Sequence, residues 1–539
     1  MKILSYKPGH DGHIAYINEG RLEFSIEAEK DSWPRYASVS PSLHLRCLEY
    51  VDDIPDTISI SGWVKGVHSI SAPVEGGYFG CGLDTIVDRS QTLFGKNVNF
   101  FSSSHERSHV MCSYGMSPFP QGQPCYALVW EGNIGAFYHI DENVQITKVG
   151  DVLEDPGNKY AFLYALADPS FPLLSDHHRF EDAGKMMALV SYGEAGEVSA
   201  EEQELIDFVL AQKSILLSLN KRDLSDSPFL NIGVESQKFK NLARKFSDAL
   251  FRRFHEFAKE HLTEGFPLII SGGCGLNCDW NSMWKETSLF EDVFIPPCTN
   301  DSGSAIGTAV DAMHHYTGKA KIDWSVYAGE DFVMDSTNLD GIHAVPLALD
   351  DVAAFLESGN IIAWVQGRYE IGPRALGNRS LIAAPFTKEM HARINKIKQR
   401  EDFRPIAPIC LEEEVHKHFN AHGPSPYMLH FQTVKNDKLL AITHVDGSAR
   451  LQSVNEEQNP LMHALLTAFS KRTGYGVLCN TSLNFKGTGF INRMSDLLQY
   501  VLEYGLDGIV VNDIFYDCRN AVANYARSST TDLAIKKAG

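Results

Sequence analysis

The segment Gly367-Arg-Tyr-Glu-Ile-Gly-Pro-Arg-Ala-Leu-Gly-Asn-Arg-Ser380 is the most informative stretch of this sequence. It follows the apolar run Ile361–Val365, which is typical of a buried β-strand. Glycine and proline interleaved with arginine predict a loop of fixed conformation, and the planar guanidinium group suits bidentate contacts with phosphoryl oxygens. A run of charges is more often a solvated surface, but here the pattern favours a phosphate-binding loop after a buried strand.

Basic residues are concentrated around this segment. Nine lysines and arginines and four acids lie between Gln366 and Arg404, which gives +5 within a chain of net charge −20. Because the acidic surface as a whole repels polyanions, this local cluster favours small phosphorylated substrates. Further along, Val477–Asn484 reads as an apolar strand that ends in hydrogen-bonding side chains. These side chains would complete the same pocket, and an ordinary Asn/Ser-rich turn is the alternative.

Two loops in the first half of the chain have a related character. Leu268–Ile270 reads as a strand that enters the glycine-rich stretch Ser271–Asn277, an arrangement typical of phosphate or nucleotide binding. A close-packed turn that requires glycine is an equal alternative. The polar loop Gly9–His13 lies between the predicted strands Lys2–Tyr6 and Ile14–Ile17, and its backbone N–H groups are also of the kind that hold phosphate.

A candidate metal site begins in Ser102-Ser-Ser-His105-Glu-Arg-Ser-His109. The serines can cap a helix, and histidines four residues apart lie on one helical face, where they can chelate one metal ion. Such a pair alone is more often a surface pair, so further ligands are required. Glu131 and Asp301, two carboxylates in predicted loops, are the candidates.

The length of the chain predicts two domains, because 539 residues exceed what one hydrophobic core usually organises. Arg21–Ile26 reads as a third strand, Val110–Ile140 as strand-like and Ala200–Leu262 as helical. The periodicity weakens between Asp335 and Val345, before a predicted helix at Asp350–Glu357. We therefore place the domain boundary there.

Composition predicts a soluble cytoplasmic protein with no membrane partner. The first residues lack the features of a secretory signal, and no apolar run is long enough to cross a bilayer. Ten cysteines without a CxxC pair indicate reduced thiols rather than a disulfide framework.

Together these segments resemble the NodU/CmcH family of O-carbamoyltransferases. The resemblance spans nearly the whole chain and is sharpest in Gly367–Ser380, Arg400–Pro408 and Asn480–Asn484, which occur in the family's order and spacing. Weaker matches in the first half, among them His10-Asp11 and the histidine pair, also follow the family's order.

The resemblance implies an α/β fold in an α+β arrangement of two domains. An actin/Hsp70-like (ASKHA), Kae-like domain would occupy residues 1–340, and a YrdC-like α/β domain would occupy residues 346–530. The YrdC-like domain would join carbamoyl phosphate and ATP into a carbamoyl adenylate. The Kae-like domain would then transfer the carbamoyl group to an acceptor hydroxyl of a natural product or a sugar.

Site residues follow from the same resemblance, position by position. His105, His109, Glu131 and Asp301 would bind Fe²⁺ or another divalent metal, and His10, beside Asp11, would be the general base for the acceptor hydroxyl. The expected nucleotide contacts of the first domain are Gly272, Gly273, Asn277 and Gly303. The expected contacts of carbamoyl phosphate and ATP are Arg374, Lys398 and Arg404 as catalytic residues, with Arg379, Lys396, Arg400, Asn480, Ser482 and Asn484.

Two positions depart from the family's pattern. Glu131 stands where aspartate is usual, and Gly12-His13 stands where small residues are usual, so His13 competes with His10 as the histidine that faces the acceptor. Alternative activities are carbamoylation of a hydroxymethylpyrimidine nucleotide or DNA, tRNA threonylcarbamoyl transfer, and non-catalytic nucleotide binding by a regulator. The expected assembly is a homodimer, and nucleic acid is expected only as an acceptor.

Overall fold

The computed structural model describes residues 1–62, 86–175, 178–213, 215, 219–336, 341–421 and 423–527. The chain divides into two compact units. The first contains Met1–Glu23 and Pro41–Trp324, and the second contains Phe24–Ser40 and Ser325–Gly539. The early segment Phe24–Ser40 therefore belongs with the second half of the chain. The weakly periodic region Asp335–Val345 lies within the second unit, and its residues 337–340 are outside the described residues.

The first unit is built on two sheets. In the larger sheet the strand order is β3-β2-β1-β4-β6-β5, and in the smaller one it is β11-β10-β7-β8-β9. The strands are β1 (Lys2–Lys7), β2 (His13–Asn18), β3 (Arg21–Glu27), β4 (Thr57–Ser61), β5 (Ile86–Leu93), β6 (Lys96–Ser103), β7 (Cys125–Trp130), β8 (Gly135–Ile140), β9 (Ile146–Asp151), β10 (Leu268–Ser271) and β11 (Val293–Phe294). β1 is antiparallel to β2 and parallel to β4, so the sheets are mixed.

Two helices of this unit pack against each other and against the two sheets. α8 (Ser304–Thr317) lies on the larger sheet, and α2 (His105–Met116) lies on β7 and β10 of the smaller one. The helices are α1 (Pro41–Leu48), α2 (His105–Met116), α3 (Pro156–Ala167), α4 (Phe180–Val190), α5 (Ala200–Ala211), α6 (Gln237–His261), α7 (Cys278–Glu286) and α8 (Ser304–Thr317). Short 3-10 turns at Gly273–Leu276 and Asp301–Gly303 precede α7 and α8.

The predicted first three strands are confirmed, each within two residues. The strand-like interpretation of Val110–Ile140 is correct for β7 and β8 but wrong for residues 110–116, which continue α2. Nearly every residue of α2 is buried. Because the helix has almost no exposed face, its polar and apolar residues show no amphipathic period, and local pattern does not separate its second half from a buried strand.

The second unit is built around one large sheet with the strand order β12-β22-β21-β13-β14-β20-β15-β19, and β16, β17 and β18 form a small separate sheet. The strands are β12 (His343–Pro346), β13 (Ile361–Val365), β14 (Arg379–Ala383), β15 (Ala407–Leu411), β16 (Phe419–Asn420), β17 (Phe431–Val434), β18 (Ser448–Arg450), β19 (Gln452–Val454), β20 (Val477–Ser482), β21 (Gly508–Val511) and β22 (Ile514–Asp517). The helices are α9 (Leu349–Glu357), α10 (Lys388–Ile397), α11 (Val415–His418), α12 (Pro460–Thr473) and α13 (Met494–Tyr504).

The central strand β13 shows why this sheet is covered on both faces. Ile361, Ala363 and Val365 belong to the core that includes residues of α10 and α13. Ile362 and Trp364 point the other way, into the core formed with α9 and α12. Successive side chains of a strand face opposite sides, so a strand buried on both faces has an unbroken apolar sequence. The predicted strand Ile361–Val365 and the helix that precedes it are confirmed.

These elements confirm the predicted α/β fold class. The nine cysteines that the structure describes are buried and carry free thiols, in agreement with the sequence analysis. Among the described residues, none of the helices combines the length and the apolar character that crossing a bilayer requires.

Candidate active sites

Two histidines and two carboxylates converge in the first unit. Ser104 caps α2, and the Nε2 atoms of His105 and His109 lie 3.2 Å apart on one face of the helix. Asp301 Oδ1 is 3.5 Å from the first nitrogen and 3.2 Å from the second, and Glu131 Oε1 is 3.4 Å from His109 Nε2. The four donor atoms all lie within 4.8 Å of one another. The structure thus brings together all four of the predicted metal ligands.

The character of this cluster fits a divalent transition metal. Imidazole and carboxylate donors suit such ions, and both histidines and Asp301 are almost completely buried. Burial, together with the nearby Asp301 carboxylate, raises the pKa of Glu131. The negative charges of the two carboxylates therefore repel each other in a desolvated space, and a bound cation would offset this repulsion.

A second layer of groups orients three of these side chains, Asp301, His109 and Glu131. Lys7 is buried, and its Nζ lies 3.1 Å from Asp301 Oδ2. Ser271 Oγ lies 3.3 Å from His109 Nδ1, and the backbone N–H of Gly273 donates to Glu131 Oε1 at 2.7 Å. Partners of this kind fix ligand orientation. The sequence analysis missed Lys7 and Ser271, because neither stands in a pattern that distinguishes it from an ordinary strand residue.

The glycine-rich loop supports this cluster. Gly272 has φ +103, and a Cβ there would lie 2.4 Å from the Trp130 carbonyl oxygen, so the position requires glycine. Asn277 accepts from two backbone N–H groups at the start of α7, and a Cβ on Gly303 would lie 2.3 Å from the Cys298 carbonyl oxygen. Gly272, Gly273, Asn277 and Gly303 thus all have structural or supporting roles, while their predicted nucleotide contacts stay predictions.

His10 lies beside the cluster and is partly open to solvent. Its Nε2 is 3.5 Å from Asp301 Oδ2, and its Nδ1 is 3.1 Å from Asp11 Oδ2. The ring of Phe180 lies 6.3 Å away, centroid to centroid. Burial and Lys7 disfavour the charged imidazole, but Asp301 and Asp11 outweigh them and raise the pKa of His10. Asp11 engages Nδ1 and orients the ring, so Nε2, with its longer contact to Asp301, is the nitrogen through which His10 can accept a proton.

A separate cluster of basic side chains forms in the second unit. Burial, followed by Arg400, Arg404 and Arg35, lowers the pKa of Lys398 well below its ordinary value. Burial, followed by Arg404 and Arg450, lowers the pKa of Arg400 to about 9. Like charges that are brought together in a desolvated space are costly unless an anion neutralises them. The cluster therefore fits a phosphorylated ligand.

The structure adds Arg35 and Arg450 to the basic cluster that the sequence predicts around residue 400. Neither follows from its surroundings in sequence, because Arg35 stands near acidic residues and Arg450 stands outside the basic stretch. Lys396 and Lys398 are both predicted to contact carbamoyl phosphate or ATP. The side chain of Lys396 is exposed, whereas that of Lys398 is partly buried and points inward. Lys398 Nζ donates to the Ser482 carbonyl at 2.6 Å and to Asn484 Oδ1 at 2.6 Å.

The loop Gly367–Ser380 is held rigidly by buried contacts. The guanidinium of Arg379 is fully buried and donates to the carbonyls of Gln366, Gly367 and Asn378 and to Asn492 Oδ1. These contacts occupy all five of its N–H groups. Arg379 therefore clamps the loop and has no donor left for a substrate, in contrast to its predicted substrate contact.

Asn480 contacts this loop from β20, whereas Arg374 lies within it. Asn480 Nδ2 donates to the Ala375 carbonyl at 3.1 Å and to Gln452 Oε1 at 2.8 Å, so it also holds the loop. Ser482 Oγ donates to Asn484 Oδ1 at 2.6 Å. Arg374 and Arg404 are only half-buried and, with Arg400, are the arginines of the predicted set that solvent and a ligand can reach.

Comparison with known proteins gives consistent matches along the chain. Residues 83–310 match the family described as "Carbamoyltransferase N-terminus", and residues 353–517 match "Carbamoyltransferase C-terminus". A 3'-hydroxymethylcephem-O-carbamoyltransferase of Amycolatopsis lactamdurans is 47% identical over 96% of this chain and 99% of its own. Nodulation protein U of Sinorhizobium fredii is 33% identical over 91% of this chain and 95% of its own. A solved archaeal actin homologue is 11% identical over 58% of this chain and 100% of its own, with a TM-score of 0.29.

Proposed function

The chain belongs to the NodU/CmcH carbamoyltransferase family and is a carbamoyltransferase, and from that premise we propose that it makes a carbamoyl adenylate in its second unit and consumes it in its first. The observation that carries this proposal is the chemical contrast between the two clusters. One gathers cations that suit phosphates, and the other gathers imidazoles and carboxylates that suit a metal and proton transfer.

The first step belongs to the basic cluster. Water removes phosphate from carbamoyl phosphate and leaves carbamate, and a carbamate oxygen then attacks the α-phosphorus of ATP while pyrophosphate departs. Arg374, Arg400 and Arg404 neutralise the charge that collects on the phosphoryl oxygens during this displacement. Lys398 supports them, because its three N–H groups bind the turn Ser482–Asn484. The products are carbamoyl adenylate, pyrophosphate and phosphate.

The second step belongs to the histidine and carboxylate cluster. His10 accepts the proton of the acceptor hydroxyl, the acceptor oxygen attacks the carbamoyl carbon, and the bond to AMP breaks. Asp11 and Asp301 stabilise the imidazolium that forms. Held by His105, His109, Asp301 and Glu131, Fe²⁺ or another divalent metal would supply Lewis-acid polarisation.

The acceptor in this proposal is a primary hydroxymethyl group on a natural product of the 3'-hydroxymethylcephem class. The support is identity of 47% over nearly the full length of a relative named for that activity. Burial of His105, His109 and Asp301 limits the access of water and would favour transfer to an acceptor over hydrolysis of the intermediate.

Separate measurement of the two half-reactions tests the proposal. We expect Arg374→Ala to abolish pyrophosphate release, because a phosphate charge loses its partner. We expect His105→Ala to retain pyrophosphate release and to lose carbamoylation of a 3'-hydroxymethylcephem, followed by mass spectrometry. Loss of the same half-reaction in both variants would contradict the assignment of two sites.

The same assay separates the alternatives. A non-catalytic regulator would release neither pyrophosphate nor AMP when carbamoyl phosphate is present. A tRNA threonylcarbamoyl transferase would modify tRNA from threonylcarbamoyl adenylate and leave the cephem unchanged.

A further inference from the structure

His13 is the second histidine of the loop that carries His10, and both of its ring nitrogens are engaged. It is completely buried. Its Nε2 accepts the backbone N–H of Ala305 at 2.9 Å, and its Nδ1 lies 3.1 Å from the Asp11 carbonyl oxygen. Because Nε2 must carry the lone pair, the proton resides on Nδ1 and donates to Asp11. His13 is therefore a neutral imidazole in one tautomer and has no nitrogen left for an acceptor.

These two hydrogen bonds join the parts of the first unit that carry the chemistry. Asp11 belongs to the turn that presents His10, and it adopts a left-handed backbone conformation, φ +49, which is uncommon outside glycine but which aspartate tolerates better than most residues. Ala305 supplies one of the first N–H groups of α8, immediately after the 3-10 turn that contains Asp301. Asn300 Nδ2 also donates to Asp11 Oδ1 at 3.3 Å. The turn and the helix start are thus tied at two points around the contact between His10 and Asp301.

We infer that His13 is a positioning residue that fixes His10 against Asp301 for carbamoyl transfer, and that it takes no proton itself. This inference rests on the proposed function. A wrongly placed His10 leaves the acceptor unactivated while carbamoyl adenylate still forms, so water consumes the intermediate. Burial lowers the pKa of His13 to about 4, in keeping with a ring that stays neutral during turnover.

Three substitutions separate the two hydrogen bonds. His13→Asn places an amide N–H where Nδ1 stands and keeps the bond to Asp11, whereas His13→Gln places a carbonyl oxygen near Nε2 and keeps the bond from Ala305. His13→Ser removes both. The readout is carbamoylated 3'-hydroxymethylcephem per AMP released, with the rate of pyrophosphate release and the KM of the cephem measured alongside.

We expect His13→Ser to lower the turnover of transfer about 100-fold, as a misplacement near 1 Å does, and to lower the ratio of product to AMP. Pyrophosphate release should stay at the wild-type rate, and the KM of the cephem should change less than about threefold, since ground-state binding is untouched. The turnover of transfer should be about tenfold higher in His13→Asn than in His13→Ser, because the amide keeps the hydrogen bond that holds the turn of His10. His418→Asn, at an equally buried histidine of the second unit, should keep the wild-type ratio.

A wild-type ratio in His13→Ser, or no recovery in either amide variant, would overturn the inference. Should the serine variant fail to fold, wild-type ratios in both amide variants would overturn it equally. A wild-type enzyme that releases pyrophosphate without carbamoylating the cephem would instead contradict the proposed acceptor.

Discussion

Lys396 and Lys398 show how two identical side chains, two positions apart, acquire different chemistry. Lys396 is exposed at the end of α10, where its charge is hydrated and screened. Lys398 is the helix C-cap and reaches the turn Ser482–Asn484, which it ties through three acceptors. It therefore contributes both charge and shape to the basic cluster.

This contrast gives a matched pair of variants. We expect Lys398→Met to slow pyrophosphate release about 10- to 100-fold, since lost hydrogen bonds to a charged group cost about 1.5–3 kcal/mol. Lys396→Met should stay within about twofold of wild type. Steady-state pyrophosphate release at varied carbamoyl phosphate measures both, and equal effects would mean that the inward orientation of Lys398 does not matter.

Arg379 provides a second residue-scale prediction. Arg379→Lys keeps the charge but cannot reproduce five N–H donors in a planar fork. We expect it to destabilise the protein by about 3 kcal/mol, because several buried carbonyls lose their partners. Thermal denaturation measures this loss. Unchanged stability with a raised KM for carbamoyl phosphate would show that Arg379 binds substrate after all.

At the scale of elements, the geometry of the predicted metal ligands depends on how closely α2 and α8 pack. A Cβ on Gly307 would lie 1.8 Å from the carbonyl oxygen of Ser108, a residue that stands between the two histidines in sequence. Arg107, also between them, makes a bidentate pair with Asp311 of α8, at 2.9 and 2.7 Å. Close approach and a planar ion pair together fix α2 on the helix that follows Asp301.

Gly307→Ala tests this packing. The new methyl must push α2 away, so we expect a loss of about 1–3 kcal/mol in stability, weaker metal binding and a lower rate of transfer, with pyrophosphate release spared. Gly184→Ala in α4 is the control, because nothing lies within 4 Å of its Cβ. That variant should be as stable as wild type or slightly more so. Calorimetry and metal titration of both variants measure the difference, and an unperturbed metal affinity in Gly307→Ala would argue against the role of close packing.

The whole molecule combines two units whose clusters have opposite electrostatic character. A net charge of −20 disfavours polyanions in general, whereas the basic cluster of the second unit has the charge that suits a small phosphorylated ligand. The buried carboxylates of the first unit attract a cation. Each unit gathers its cluster from its own residues, so the two half-reactions should respond separately to perturbation.

Metal removal tests this separation in the intact chain. After dialysis against a chelator, we expect carbamoylation of the cephem to fall at least about 100-fold, because the transition-state charge at the carbonyl loses its Lewis acid. Release of pyrophosphate should persist at more than half its original rate if Mg²⁺ is restored for ATP. Added Fe²⁺ should restore transfer, and loss of both half-reactions on chelation would contradict separate sites.

The sequence by itself determined the α/β class, the first three strands, the strand Ile361–Val365 and the residue types of both candidate sites. Those features depend on local chemistry: apolar runs, a histidine pair at helical spacing, and arginines among glycine and proline. It could not show that α2 is a helix to its end, because a helix buried on all sides has no periodic face.

Only the tertiary structure decided which side chains of these motifs are open to a ligand and which hold the surrounding structure in place. In the folded chain Lys7 lies beside Asp301, and Arg35 and Arg450 join the basic cluster. Lys398 points inward. The side chains of Arg379 and His13 form hydrogen bonds with the protein's own backbone. The physical reason is that burial and hydrogen-bond partners are set by residues distant in sequence. A side chain whose N–H groups are all hydrogen-bonded within the protein has no donor left for a ligand.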